Sequence, residues 1–297
     1  MSRQDKNIAG KTGNAFGTAG EVTGTAGEAS GNSKTNEKKR KTAAGGPAGR
    51  RDSSLPAALL VCVFLFLWQA AALRMNAAYI LPTPIQVVQK LWELRGPLFG
   101  AHLPATMQVV GIGLVISIVL GLGLAILMDL SPVARQALYP LIIASQTIPT
   151  TALAPLFVLW FGYSIWSRVL VTVLFTFFPV VVTVFDGFRS IPVEMKELMD
   201  TYGATPAQVF VKLKIPAVLP YFFSALKMAV PLSVIGAAIG EWLGAQSGLG
   251  YFSRRMMTQL DGAGVFAPIL LLSIAAELLV IVVGLLERHF LRWRNSD

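Results

Sequence analysis

Side chains that could carry chemistry are sparse in this chain. Its two histidines, His102 and His289, lie far apart, and neither has a Cys, His or carboxylate at the spacing that a zinc site requires. The sequence also contains no Gly-x-Ser-x-Gly nucleophile elbow, no paired carboxylates and no Gly-x-x-x-x-Gly-Lys-Ser/Thr phosphate loop. We therefore expect no catalytic site, no metal and no cofactor, and no ATP binding by this chain alone.

A second set of candidates consists of polar side chains inside long apolar runs, where ionisable groups are costly and often functional. Lys227 can snorkel to a membrane surface, and Glu241, at the outer end of its run, is expected to face water. Glu277 lies in a later apolar run. The polar residues around Pro149 are the predicted lining of a translocation pathway: Ser145, Gln146, Thr147, Thr150 and Thr151.

A charged, amphipathic segment lies between two of the apolar runs, with Glu197-Leu-Met-Asp-Thr-Tyr-Gly203 at its centre. Pro192 suits a first helical turn, Gly203 can adopt the left-handed conformation that ends a helix, and Thr205-Pro206 can begin another. The pattern predicts a helix-turn-helix elbow, although a helix pair lying on lipid would look similar. The second helix is expected to pack three apolar residues and to leave two lysines solvated: Val209, Phe210 and Leu213, and Lys212 and Lys214.

The composition shows what must position these residues. The chain is 54% hydrophobic and only 14% charged, whereas soluble proteins carry about 25% charged residues. Apolar runs of roughly 20 residues suit helices that cross a ~30 Å hydrocarbon core. The predicted fold class is therefore an all-α polytopic membrane protein with about six transmembrane helices. The spans are expected at about 55–75, 104–128, 135–161, 166–187, 217–242 and 266–287.

Prolines and glycines refine this picture. Pro149, Pro155, Pro179 and Pro231 interrupt the third to fifth spans, which favours a bundle built around a passage, with ordinary kinked packing as the alternative. After Pro82 and Pro84, an apolar periodicity predicts a short interfacial helix. Small residues in the second span predict close helix packing: Gly111, Gly113, Gly121 and Gly123.

Charge distribution predicts the topology. Residues 1–52 hold ten Lys/Arg against five Asp/Glu, so +5 of the net +9 lies there. Residues 1–54 read as a disordered basic tail, and residues 55–297 as the membrane domain. An even number of spans puts both termini on one side, and the basic flanks place that side in the cytoplasm. The loop at 188–216 is then cytoplasmic, although Arg254 and Arg255 in an outer loop oppose this assignment.

The spacing Glu197-x5-Gly203-x9-Leu213-x-Ile215-Pro216 resembles the loop signature of ABC importer permeases, Glu-Ala-Ala-x3-Gly-x9-Ile-x-Leu-Pro. Leu198 and Met199 replace the two alanines, and the Ile and Leu are interchanged. The segment Gly240–Tyr251 resembles permeases of the nitrate, sulfonate and taurine group. Three further segments look most like members linked to thiamine pyrimidine precursors: Ser145–Pro149, Ala152–Leu156 and Trp160–Gly162.

The resemblance implies a non-catalytic permease subunit of a bacterial cell membrane importer that works as a pair, with a separate ABC ATPase and an extracytoplasmic solute-binding protein. Glu197 and Gly203 would shape the ATPase-coupling loop, which ends at Pro216, and Ala204, Thr205 and Pro206 would form its exposed tip. An ion-coupled secondary transporter is the alternative, but repeated halves and mid-membrane coupling carboxylates are not evident. A membrane-embedded enzyme would need the missing reactive groups. The resemblance leaves the solute open between nitrate-, sulfonate-, taurine- and pyrimidine-like compounds.

Overall fold

The computed structural model describes residues 55–292, and all regular structure in that range is helical. The tail predicted to be disordered, residues 1–54, lies outside the described residues. The helices are α1 (Leu55–Met75), α2 (Pro84–Glu93), α3 (Arg95–Leu130), α4 (Pro132–Ser145), α5 (Thr150–Phe161), α6 (Ile165–Arg189), α7 (Val193–Thr201), α8 (Pro206–Gly244), α9 (Leu249–Thr258) and α10 (Gly262–Phe290). A π-helical turn lies near the start of α3, at Leu98–His102, and another near the start of α8, at Phe210–Lys214.

Five of the described helices are long and apolar enough to cross a membrane: α1, α3, α6, α8 and α10. The predicted third span, 135–161, is not one continuous helix but the pair α4 and α5, which are bent by 95°. Pro149 explains the break, because it disfavours helical backbone at Ile148 and itself adopts an extended ψ of 109° before α5 begins. The pair completes six spans if it counts as one.

The other predicted proline interruptions do not break their helices. Pro155 lies inside α5, Pro179 inside α6 and Pro231 inside α8, and each helix continues past its proline. Each proline removes a backbone donor but leaves the rest of its helix hydrogen-bonded. Of these four prolines, only Pro149 lies at a break between two helices.

Helix α6 is the centre of the bundle and packs closely against α3 and α8. Gly113 and Gly121 of α3 meet Thr172 and Val180 of α6 so tightly that an added Cβ would lie 2.6 Å from each side chain. This close approach confirms the packing prediction for these two glycines, which lie eight residues apart on one helical face. The other two predicted packing glycines have open space around them: Gly111 and Gly123.

The described helices define two ends of the bundle. At the elbow end, the last turn of α3 meets the start of α8 through Asp129 and Lys214, and Phe290 of α10 stacks on Phe223 of α8. The opposite end contains α2, α9 and the start of α10. Helix α2 is the predicted short helix, and Thr83 begins it with a capping box that includes Gln86.

Helix α1 makes few contacts with the rest of the bundle. The Trp68 indole donates a hydrogen bond to the Pro82 carbonyl at 3.1 Å and its ring lies 5.9 Å from that of Phe266, while most apolar side chains of α1 are exposed. An apolar helix of this length is suited to lipid or to a second subunit.

Candidate functional site

The elbow predicted at 192–206 is present. Helix α7 ends at Thr201, and Gly203 adopts φ 70°, the left-handed conformation expected there. The N–H of Gly203 donates to the Asp200 carbonyl at 2.9 Å, and the N–H of Ala204 donates to the Met199 carbonyl at 3.0 Å. These bonds satisfy carbonyls that the end of a helix leaves free. These hydrogen bonds therefore fix the direction in which the chain leaves helix α7.

Helix α8 begins directly after this turn. Thr205 caps it, because its hydroxyl accepts from the Gln208 N–H while the Gln208 side chain accepts from the Thr205 N–H at 2.8 Å. Pro206 occupies the first helical position, where its missing N–H costs nothing. The sequence pattern thus correctly located both helices of the elbow.

The surface of the elbow is unusually apolar for an exposed loop. Tyr202 is 80% exposed, and Met195 and Leu198 are also exposed. The acidic residues Glu194 and Glu197 are exposed beside them, as are Thr205 and Pro206, whereas Ala204 is half-buried. The exposed tip is therefore centred on Tyr202 rather than on Ala204. Exposed apolar groups within a charged surround are typical of a docking surface.

Two contacts join the elbow to the spans. Phe210 stacks on Phe188 of α6 with ring centroids 6.2 Å apart, and Lys214 Nζ lies 2.6 Å from Asp129 Oδ2 of α3. The lysine and aspartate side chains are only 16% and 10% exposed. The prediction that Lys214 is solvated is therefore wrong, since the end of α3 supplies a carboxylate, while Lys212 is exposed as predicted. Pro216, the last residue of the signature, is half-buried in the first turns of α8.

The predicted pathway residues lie at the bend between α4 and α5. Ser145, Gln146 and Thr150 line a cavity of about 360 Å³ whose other walls come from α6 and α8. Thr147 and Thr151 are exposed beside it and do not line it. Two of these hydroxyls donate to carbonyls of their own turn, Ser145 to Ile142 at 2.7 Å and Thr147 to Ala144 at 2.8 Å.

A polar cluster absent from the sequence-based predictions lies at the opposite end. Glu241 is fully buried, so the prediction that it faces water is wrong, because the loop after α8 and the start of α9 fold back over it. Its Oε2 accepts from the Gly250 N–H at 2.8 Å and from the Thr106 hydroxyl at 3.1 Å. The Thr106 hydroxyl oxygen in turn accepts from the Leu249 N–H at 2.9 Å. We call Glu241, Thr106 and residues 247–250 the polar node.

Further contacts hold the loop of the polar node. The Gly248 N–H donates to His102 Nδ1 at 3.1 Å, and Arg168 Nη1 lies 3.5 Å from the Ser247 carbonyl. Gly248 has φ 119°, and a Cβ there would collide with the Glu241 carboxylate. Glycine is required here for both reasons. The node connects α3, α6, α8 and α9 through side chains that are distant in sequence.

Among the described residues, no group of three or more His, Cys, Asp or Glu could hold a metal ion. Lys227 does not stand alone at membrane depth, because it pairs with Glu287 at the elbow end. The polar node was missed because its acceptor and donors lie on different helices; the only local signal was the glycine-rich run after Glu241.

Comparisons with known proteins agree with this architecture. Residues 103–295 match the family described as binding-protein-dependent transport system inner membrane component. The chain is 51% identical to the formylaminopyrimidine transport permease protein ThiX of Halalkalibacterium halodurans over 84% of this chain and 99% of that protein. It is 33% identical to the putative aliphatic sulfonates transport permease protein SsuC of Bacillus subtilis over 84% of this chain and 91% of that protein.

The fold also resembles a solved transporter structure. A chain of the MetNI methionine ABC transporter in an inward-facing conformation superposes with a TM-score of 0.56 at 18% identity, covering 70% of this chain and 97% of that one. This likeness supports the helical architecture. The family match over most of the chain and the relatives matched along nearly their whole lengths confirm the resemblance drawn from the elbow. The chain belongs to the binding-protein-dependent inner membrane component family and is the multi-pass, non-catalytic permease subunit of an ABC importer, which works with an ATPase and a binding protein.

Proposed function

We propose that this permease carries a small aminopyrimidine-type solute and that its elbow, residues 193–206, docks on the ATPase subunit. The observation that carries the solute class is the 51% identity to a formylaminopyrimidine permease along 99% of that protein. The sulfonate permease is more distant, at 33% identity. The membrane domain is assigned to residues 55–297 on the same grounds.

Three features support the elbow as the docking element. Its tip exposes the apolar side chains of Met195, Leu198 and Tyr202. Its turn is fixed by the hydrogen bonds around Gly203. Its second helix is the first part of α8, which continues without a break to Gly244. The partly buried ion pair between Lys214 and Asp129 connects this part of α8 to α3. A displacement of the tip would therefore be transmitted to two spans, as coupling between nucleotide binding and pathway opening requires.

Docking on the ATPase assigns the orientation. ATP is supplied by the cytoplasm, so the elbow end faces the cytoplasm. The last turn of α10 lies at the same end, because Phe290 stacks on Phe223 and Glu287 pairs with Lys227. With six spans, both termini would then lie in the cytoplasm.

The pathway is proposed to form between two copies of this chain. Ser145, Gln146 and Thr150 line the cavity at the α4–α5 bend, and Thr147 and Thr151 extend the polar surface beside it. This bend is exposed in a single subunit. A second copy facing it would enclose a passage lined by small polar side chains. Non-helical backbone at membrane depth needs such an environment, because lipid cannot satisfy its hydrogen bonds.

The test uses the complete importer: permease, its ATPase and its binding protein in proteoliposomes, with ATP-driven uptake of formylaminopyrimidine as the readout. Gly203→Pro is expected to abolish uptake, because proline cannot adopt φ 70° and lacks the N–H that Asp200 accepts. Gly203→Asn is the matched control and should retain most uptake, since asparagine tolerates the left-handed region. Uptake of an aliphatic sulfonate but not of the pyrimidine by the wild type would contradict the proposed solute.

A further inference from the structure

Helix α10 carries a carboxylate near its midpoint. Glu277 lies about 20 Å from either end of this 29-residue helix, at 1.5 Å per residue. A glutamate side chain is too short to reach either membrane surface from there. Within residues 55–292, no hydrogen bond or ion pair involves its carboxylate, and the side chain is exposed. Such a group normally faces a protein interior or a water-filled cavity, because lipid strongly disfavours a charged carboxylate.

Glu277 lines a groove of about 560 Å³ between α8 and α10. This volume is within the range of about 300–1,000 Å³ found for small-molecule sites. Most of the wall is apolar, and Trp242, in the last turn of α8, contributes an aromatic ring. A mainly apolar groove with a few placed polar groups is the usual composition of a site for a small organic solute.

The polar groups of this groove act mainly as acceptors. Ser273 donates its hydroxyl hydrogen to the Ile269 carbonyl at 3.0 Å, and Ser253 donates to the Val265 carbonyl at 3.3 Å. Their oxygens retain lone pairs, and the Glu277 carboxylate accepts only. The Gly250 N–H is already bonded to Glu241. Apart from the Trp242 indole N–H, which is a donor, the wall offers acceptors, so a ligand that satisfies them must bring N–H or O–H donors.

A second copy of the chain is a poorer match for Glu277. The cations in the described membrane-spanning helices lie at or near helix ends, except Lys227 in α8, which already pairs with Glu287. Arg168, near the start of α6, already contacts the Ser247 carbonyl.

We propose that this groove is a solute subsite of the translocation pathway and that Glu277 is its specificity-determining residue. Glu277 would accept hydrogen bonds from the amino N–H groups of a planar, neutral nitrogen heterocycle, or from the ring N–H as well where a ring nitrogen is protonated, and would repel oxyanions such as nitrate or sulfonates. This subsite rests on the proposed function, import of an aminopyrimidine-type solute. It adds the residue that would recognise the solute. The groove and the bend cavity flank α8: Leu232 contributes to the bend cavity and Pro231 to the groove.

The first experiment replaces the carboxylate in the complete importer. Glu277→Gln keeps the size but loses the charge and points amide hydrogens at the solute, so ATP-driven uptake of formylaminopyrimidine should fall about 10-fold or more. Leu278→Gln is the matched control; it adds the same polar group at the same depth outside the groove lining, and uptake should stay within about twofold of the wild type. Wild-type uptake by Glu277→Gln would overturn the proposal. Absence of uptake by the wild type would instead refute the proposed function.

The second experiment tests whether the groove is aqueous and does not depend on transport. Cys62 is the single cysteine, so Cys62→Ser provides a background for Glu277→Cys and Leu278→Cys. A charged thiol reagent needs water around a thiolate, so it should label position 277 at least about 10-fold faster than position 278. Ser273→Cys also lines the groove and keeps Glu277, so formylaminopyrimidine delivered by its binding protein with ATP should slow labelling at position 273. Equal labelling at 277 and 278, or labelling at 273 unaffected by the solute, would overturn the proposal.

Discussion

The elbow and the polar node lie at opposite ends of the same bundle and differ in what they bury and what they expose. The elbow keeps its polar bonds local, within its own turn, and exposes apolar side chains around Tyr202. The node buries the Glu241 carboxylate completely and connects it to the Thr106 hydroxyl, a donor 135 residues away in sequence. The difference indicates that the elbow is shaped for another subunit, whereas the node holds the subunit together. Substitutions should therefore affect stability at one end and association at the other.

The largest loss of stability is expected for Glu241→Ala. It leaves the buried Gly250 N–H without its acceptor, and the Thr106 hydroxyl with only the His102 carbonyl at 3.2 Å. This should lower the free energy of unfolding by about 3 kcal/mol. Glu241→Gln keeps an acceptor oxygen and should lose much less. The free energy of unfolding of both variants can be measured in mixed micelles. Equal stability of Glu241→Ala and the wild type would show that the polar node does not stabilise the subunit.

The second-largest loss of stability is expected for Gly248→Ala, which should lower the free energy of unfolding by about 2 kcal/mol. Alanine at φ 119° is strained, and its Cβ would collide with the Glu241 carboxylate. Gly284→Ala in α10 is the control, because an added Cβ there meets open space and alanine favours a helix by about 0.5–1 kcal/mol. If both variants unfolded alike, the loop of the node would not depend on glycine.

A smaller, pH-dependent effect is expected where α2 meets the start of α10. The hydrogen bond and charge of Asp261, 3.1 Å away, raise the pKa of Lys90 above its ordinary value near 10.5. A raised pKa means that the ammonium stabilises the fold at neutral pH and that this contribution is lost as pH rises above about 10.5. Lys90→Met should cost at most about 1 kcal/mol at pH 8. The difference from the wild type should shrink at higher pH or salt, and a constant difference would argue against the ion pair.

The smallest effect on stability is expected at the elbow. Tyr202→Ser changes a side chain that is 80% exposed, so the free energy of unfolding should change by no more than about 0.5 kcal/mol. Co-purification with the ATPase subunit should nevertheless weaken, because the centre of the docking surface is lost. If the variant is stable and still binds the ATPase normally, the exposed surface around Tyr202 is not the docking surface.

The elbow was predictable because its determinants are local. A proline, a glycine in the left-handed region and a Thr-Pro helix start specify a turn within about fifteen residues, and the structure agrees at Gly203 and Thr205. The spans were predictable for a similar reason, since apolar length alone decides which segments can cross a bilayer. Continuity was less predictable: Pro149 breaks a helix and Pro179 does not, because the packing of neighbouring helices decides the outcome.

The sequence by itself thus determined the membrane class, the approximate positions of the continuous spans and the form of the elbow, but not the sharp bend within the third span. Tertiary structure alone decided that Glu241 is buried rather than wet, that Lys214 is paired rather than solvated, and that Glu277 faces a groove. The physical reason is the same in all three cases. The partner or cavity that sets the energy of a charged group lies on a helix far away in sequence, and only folding brings the two together.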